Sequence, residues 1–213
     1  MRPSRVKRVS VTERRYLNFP ARATMSWTLT GFVLLCLWRL QRDGANACRC
    51  APSHPQQVFC QADVVIKAKV VGVTTSGRFE PVKYNINVTK LFKGPKMNFD
   101  AIYTAPSSAA CGITLAKGLY LLMAHLGSDG SLHISSCDFF KRWADLSLFQ
   151  KEGVLRRYQK GCDCKIARCI SFPCGVSAPA ECWWPDVVMA LLSRHFACVK
   201  KRDASCAWES GFH

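Results

Sequence analysis

The sequence predicts a mainly β protein, a small closed barrel of five strands with flanking helices, followed by a small disulfide-rich module. Three observations carry this. Apolar and polar residues alternate over several short stretches after Cys60, as strands with one buried face require. Thirteen cysteines occur in 213 residues, and the seven from Cys162 to Cys206 crowd the C-terminal end, where little strand periodicity remains. An apolar run ahead of a small-residue cleavage signal places the chain in an oxidising compartment, where cysteines pair.

Residues 1–24 are rich in Arg and Lys and are set aside, either as an extended n-region or as residues outside the natural product. Met25 opens a segment of signal-peptide proportions. Its apolar stretch, Gly31 to Trp38, is shorter than the roughly 20 residues that span a bilayer, and no later stretch reaches that length. Ala45-Asn46-Ala47 supplies an A-x-A signal. Cleavage after Ala47 makes 1–47 a removed extension and leaves a secreted chain that begins at Cys48 with a free α-amine. That amine has a pKa of about 7.7 to 8.0, so part of it is unprotonated at neutral pH and has a lone pair to donate. Twelve cysteines stay with 48–213, an even number consistent with six disulfides.

Val64, Ile66, Ala68 and Val70 share one strand face, with Val65, Lys67 and Lys69 on the other; Val82, Tyr84, Ile86 and Val88 repeat the pattern. Thr74 to Gly77 join these strands. Phe99–Thr104, Leu119–Ala124 and Leu132–Ser136 complete five, with Ser128-Asp129-Gly130 as a hairpin turn. Five short strands suit a small barrel. A helix is expected over Ser147–Tyr158, with Leu148, Phe149, Val154, Leu155 and Tyr158 as its apolar stripe, packed on the barrel. The texture changes near Gly161, dividing 48–161 from a disulfide-rich 162–213. Trp183, Trp184 and Phe196 are read as core of the second part.

The net charge is +16. Residues 1–47 hold nine of the basic side chains and two of the acidic ones, so +9 remains. Outside the cell this charge favours glycosaminoglycans and anionic surfaces. No aromatic-interleaved basic motif points to nucleic acid. The chain has no H-E-x-x-H, G-x-S-x-G, P-loop or glycine-rich dinucleotide turn, so an enzyme is not expected. The five histidines are scattered and read as surface or structural residues. Cys162, Cys164, Cys169 and Cys174 lack a nearby His or a second C-x-x-C, which favours disulfides over a zinc knuckle. Asn87-Val88-Thr89 is a glycosylation sequon on the polar side of its strand.

Cys48-Arg49-Cys50-Ala51-Pro52-Ser53-His54-Pro55-Gln56-Gln57, Cys60 and Ala62 to Lys69 resemble the mature start of the tissue inhibitors of metalloproteinases. Lys93-Gly94-Pro95, Tyr103 to Ser108 with Cys111-Gly112, Cys137-Asp138-Phe139, Tyr158 to Cys162 and Cys206-Ala207-Trp208 agree. The resemblance spans nearly all of 48–208, and the Tyr103 to Ser108 block is most similar to the second vertebrate paralogue. It implies an OB-fold-like, netrin-like barrel and the pairs Cys48–Cys111, Cys50–Cys137, Cys60–Cys162, Cys164–Cys206, Cys169–Cys174 and Cys182–Cys198. It further implies a monomer, without a cofactor of its own, that forms 1:1 complexes with matrix metalloproteinases and related zinc proteases. By that likeness the Cys48 amine and carbonyl chelate the target's catalytic zinc. Arg49, Cys50, Ala51 and Pro52 then lie in the target cleft, with Ser107, Ser108, Ala109 and Ala110 as a neighbouring ridge.

Three departures qualify the resemblance. Arg49 stands where the family has Thr or Ser, which predicts weaker inhibition of enzymes with shallow S1′ pockets. The connection Val71 to Pro81 is short, and the sequence stops at His213 without an acidic tail, which weakens the expectation of membrane-type enzymes and progelatinases as partners. Two other readings stand beside inhibition: a non-inhibitory netrin-like module binding glycosaminoglycans or a cell-surface receptor, and a metalloenzyme.

Overall fold

The computed structural model describes residues 48–169, 174, 178–185 and 188–211; the cleavage signal, the apolar run with Cys36, and His213 lie outside them. Residues 48–54 have no regular secondary structure and lead into helix α1 (Pro55–Gln61). Pro55 opens α1 with its φ already near the helical value and without an N–H to leave unpaired. His54 caps it, Nδ1 accepting from the Gln56 backbone N–H at 3.2 Å. The sequence reading assigned no helix here. Seven residues carry too few periods for a signal, and His is not among the usual capping residues.

Strand β1 (Val64–Thr74) pairs antiparallel with β2 (Val82–Lys93) on one side and β4 (Gly118–Leu126) on the other. β2 continues to β3 (Ala101–Thr104), β3 lies parallel to β5 (Leu132–His133), and β5 returns antiparallel to β4. The ring therefore closes over five strands in the order β1-β2-β3-β5-β4, an OB-fold-like barrel, with β6 (Phe140–Arg142) added outside on β4. Register shifts between Val65 and Ile66, Lys67 and Ala68, and Val70 and Gly72 interrupt the β1–β2 ladder; such bulges increase twist and let long strands bend around a small barrel. The interior holds Val64, Ile66, Ala68 and Val70 with Tyr84, Ile86, Ile102 and Leu122. Burying such side chains is worth roughly 1.5–3 kcal/mol each before chain entropy is counted.

The alternate face of β1 and β4, through Val65, Leu121 and Met123, forms a second cluster with Val58 and Phe59 of α1 and with Leu146, Phe149, Val154 and Tyr158. Helix α2 (Leu148–Glu152) starts on a Ser147–Gln150 capping box and runs into one π turn, Gly153–Arg157. The expected apolar stripe is corrected here. Leu148 and Leu155 are 81% and 47% exposed, because the wider π turn spaces the buried residues as Phe149, Val154 and Tyr158.

After Gly161 the chain contains more strand than expected. β7 (Lys165–Cys169) runs parallel to β8 (Glu181–Pro185), and helix α3 (Met189–His195) leads into the antiparallel pair β9 (Phe196–Lys200) and β10 (Cys206–Ser210). Each strand has five residues, too short for alternation to register. Trp184 is buried with Ile166, Cys182, Leu192 and Cys198, while Phe196 and Trp208 pack against them. The six disulfides pair Cys48–Cys111, Cys50–Cys137, Cys60–Cys162, Cys164–Cys206, Cys169–Cys174 and Cys182–Cys198.

Gln56, fully buried, ties the segments together. Its amide nitrogen donates to the carbonyls of Cys198 (2.6 Å) and Gly161 (3.2 Å), and its oxygen accepts from the Cys198 N–H (2.8 Å). A side chain thereby supplies α1 with a strand-like partner on β9. Gly161 has to be glycine, since a Cβ there would stand 2.0 Å from the Cys198 carbonyl oxygen.

Candidate functional site

Arg49, Cys50, Ala51, Pro52 and Ser53 form an exposed strip at one rim, and Cys48 beside them is half-buried. Extended chain of this kind is ordered only if something else holds it. Here two disulfides do so within three residues. The Cα–Cα separation is 5.0 Å for both Cys48–Cys111 and Cys50–Cys137. The Cys48 and Cys50 sulfurs lie 3.8 Å apart, so the bridges run side by side. The Cys48 backbone nitrogen donates to the Ala109 carbonyl at 3.1 Å.

The second strip is a tight loop, 105–112. Ser107, Ser108, Ala109 and Ala110 are exposed, with Ser108–Ala110 forming one 3-10 turn. Cys111 then takes the left-handed conformation, φ 65°, which reverses the chain so that the Gly112 N–H donates to the Ser107 carbonyl at 2.8 Å. A Cβ on Gly112 would meet the Ala105 carbonyl oxygen at 2.1 Å, so only glycine fits this approach. Thr104 Oγ1 accepts from the Ile113 N–H (3.1 Å), and the buried Tyr84 hydroxyl donates to the Ile113 carbonyl (3.2 Å) while accepting from the Leu115 N–H (3.1 Å). The loop is thus bolted to β2 and β3.

The third strip, 135–138, carries Cys137. The Ser136 N–H donates to the Cys111 carbonyl at 2.8 Å, which joins it to the second strip. Asp138 accepts from both the N–H and the hydroxyl of Ser135, each at 2.8 Å. His125 on β4 stands between two carboxylates, Nε2 3.1 Å from Asp138 and Nδ1 3.4 Å from Asp63. The Leu126 N–H, and then His125, hold the Asp63 carboxyl below its ordinary range. In the sequence Tyr84 reads only as a strand-face residue and Gly112, Asp138 and Asp63 only as members of the motif blocks, none of them as a support of this edge. Only the Ser135-x-x-Asp138 spacing signals one of them, as a side-chain-to-backbone turn.

The arrangement is a three-stripe edge held by two disulfides, of exposed chain with small side chains and one long cationic side chain, Arg49. Asn87 is exposed, and Thr89 two residues on donates its hydroxyl to the Lys67 carbonyl. Among the described residues, no helix is long and apolar enough to cross a membrane.

The fold is an OB-fold-like barrel with a disulfide-clamped edge, and comparison with known proteins gives its family. The family model for tissue inhibitor of metalloproteinase matches residues 46–208, and the chain belongs to that family. It is similar to metalloproteinase inhibitor 2 of Cavia porcellus, at 46% identity over 84% of this chain and 88% of the relative. The same-named protein of Homo sapiens is 45% identical with the same coverage, and that of Gallus gallus is 43% identical over 78% and 83%. These relatives are named as inhibitors, and the chain is a member of a family of inhibitors, not of enzymes.

Proposed function

We propose that this protein is a secreted inhibitor of zinc metalloproteinases, matrix metalloproteinases foremost, acting as a monomer in 1:1 complexes through the amine and carbonyl of Cys48. The observation that carries it is the double clamp on Cys48 and Cys50 at an exposed, extended rim. A catalytic zinc site has three protein ligands and one position for the water that attacks the peptide. An N-terminal Cys48 presents two ligand atoms to that position. In the uncleaved chain the Cys48 peptide N–H donates to the Ala109 carbonyl; cleavage after Ala47 turns this nitrogen into an amine, which can keep that hydrogen bond and still offer a lone pair to the metal. The target then has no position for its nucleophilic water.

Arg49, Cys50, Ala51 and Pro52 run along the cleft as a peptide would, and Pro52 suits that role with its fixed φ and missing N–H. Ser107 to Ala110 cover the unprimed side. The clamps mean that little chain freedom remains to be lost on binding, and preorganisation of this kind raises affinity. The Ala45-Asn46-Ala47 signal supports secretion, and cleavage after Ala47 is the step that frees the nitrogen.

Titration of the secreted protein against an active-site-counted matrix metalloproteinase tests the proposal. A linear loss of activity that ends at one equivalent is expected. Full activity at tenfold excess across enzymes with shallow and deep S1′ pockets would overturn it.

A further inference from the structure

A pocket of about 510 Å3 opens between the π turn that follows α2 and the β9–β10 pair, and none of its lining residues belongs to the edge around Cys48. Arg157 fixes one wall. Its guanidinium lies 3.2 Å from a Glu152 oxygen through Nη2 and 3.0 Å from a Glu209 oxygen through Nη1, and its Cζ stands 4.9 Å from the Phe149 ring centre. Both carboxylates of the lining are thus committed to one stacked guanidinium. Arg156, Lys160 and Lys200 line the same pocket. Lys200 pairs with Asp163 at 3.0 Å. Arg156 and Lys160 are exposed, and among the described residues no carboxylate forms an ion pair with either. Four cations against two carboxylates leave the lining with an excess of two positive charges, one of them shared with Asp163.

The backbone here is unusual for the same reason. The π turn, Gly153–Arg157, carries two consecutive arginines into one pocket, and the 3-10 turn after it, Gln159–Gly161, adds Lys160. Single π turns inside helices recur at functional sites. We infer that this pocket is a binding site for a nucleoside polyphosphate, separate from the inhibitory edge. Phosphate oxygens accept from guanidinium and ammonium groups in charge-assisted hydrogen bonds, and Arg156 and Lys160 are free to donate them. The volume falls within the roughly 300–1,000 Å3 of small-molecule sites, which suits a nucleotide and not a single inorganic ion. Val199 and the aliphatic stems of the basic side chains give the base an apolar wall.

The test titrates the secreted protein calorimetrically with ATP, tripolyphosphate and adenosine at physiological salt, without magnesium. ATP should saturate one site per chain, tripolyphosphate should bind more weakly and adenosine should not bind. Arg156→Gln combined with Lys160→Gln should weaken ATP binding by about tenfold for each cation removed. A control with the same change of charge, Lys96→Gln combined with Lys117→Gln, should keep the parent affinity. ATP should raise the melting temperature of the parent and the control and leave that of the pocket variant nearly unchanged; equal melting temperatures without ligand report that all three proteins fold. Absence of saturable ATP binding would overturn the inference, and so would equal weakening in the two variants, which would reduce binding to net charge. Tripolyphosphate or adenosine binding as tightly as ATP would overturn the assignment to a nucleotide.

Discussion

Tyr158 is completely buried, yet its hydroxyl has no hydrogen-bond partner, and burial pushes the phenol pKa up. A stranded hydroxyl costs desolvation without return. Tyr158→Phe should therefore leave stability unchanged or raise it by up to about 1 kcal/mol in urea unfolding. The same ring explains the glycine in the π turn: a Cβ on Gly153 would meet Tyr158 ring carbons at 2.5 Å. Gly153→Ala, ordinarily favourable in a helix, should instead cost about 1–3 kcal/mol by overpacking. Arg49 is exposed at the rim, and placing its charged head in an apolar S1′ pocket carries a desolvation cost. Arg49→Thr should tighten inhibition of a shallow-pocket collagenase by about tenfold or more, equivalent to about 1.4 kcal/mol, and leave a deep-pocket enzyme nearly unaffected. Equal inhibition constants for both proteins against the collagenase would contradict this.

Helix α1 depends on His54 being neutral. Nδ1 accepts from the Gln56 N–H and Nε2 lies 3.2 Å from the Leu192 carbonyl, to which it donates. A second ring proton would face another N–H. Burial, the largest cause, lowers its pKa to about 4. The unfolded residue titrates near 6.5, so the unfolded chain holds more protons between those values. This part of the stability is complete above about pH 6.5 and declines as pH falls toward 4, by about 3 kcal/mol. Urea midpoints at pH 7.5 and 4.5 should differ more in the parent than in His54→Asn. An equal pH dependence would show that His54 is not the group responsible. Gln56 supports the same helix, and Gln56→Ala, which strands the Cys198 and Gly161 groups it satisfies, should destabilise by about 1–3 kcal/mol for each group left unpaired.

The barrel was legible in the sequence because β1, β2 and β4 are long enough for a buried face to recur several times: Val64, Ile66, Ala68 and Val70 all enter one core. Helix α1, the π turn and the strands β7 to β10 were not, since none spans enough residues for periodicity to stand out and several are held by cysteines or by Gln56. The edge divides in the same way. Cys48 to Pro52 and Ser107 to Ala110 are contiguous and readable as motifs. Asp138 with His125 and Asp63, or Tyr84 with Ile113, join residues at least 13 positions apart, which no local pattern encodes. The six bridges then bind strip, barrel and C-terminal strands together; Cys60–Cys162 alone spans 102 positions, and closing long loops restricts the unfolded chain most.

The central claim is that inhibition requires the free nitrogen of Cys48. The most direct measurement compares the processed protein with one carrying a single Ala before Cys48, each titrated against the same metalloproteinase after both are shown to melt at the same temperature. Stoichiometric inhibition by the first and a loss of at least about a thousandfold in affinity for the second, roughly 4 kcal/mol, is the predicted result. Equal inhibition by the two would contradict chelation through the amine.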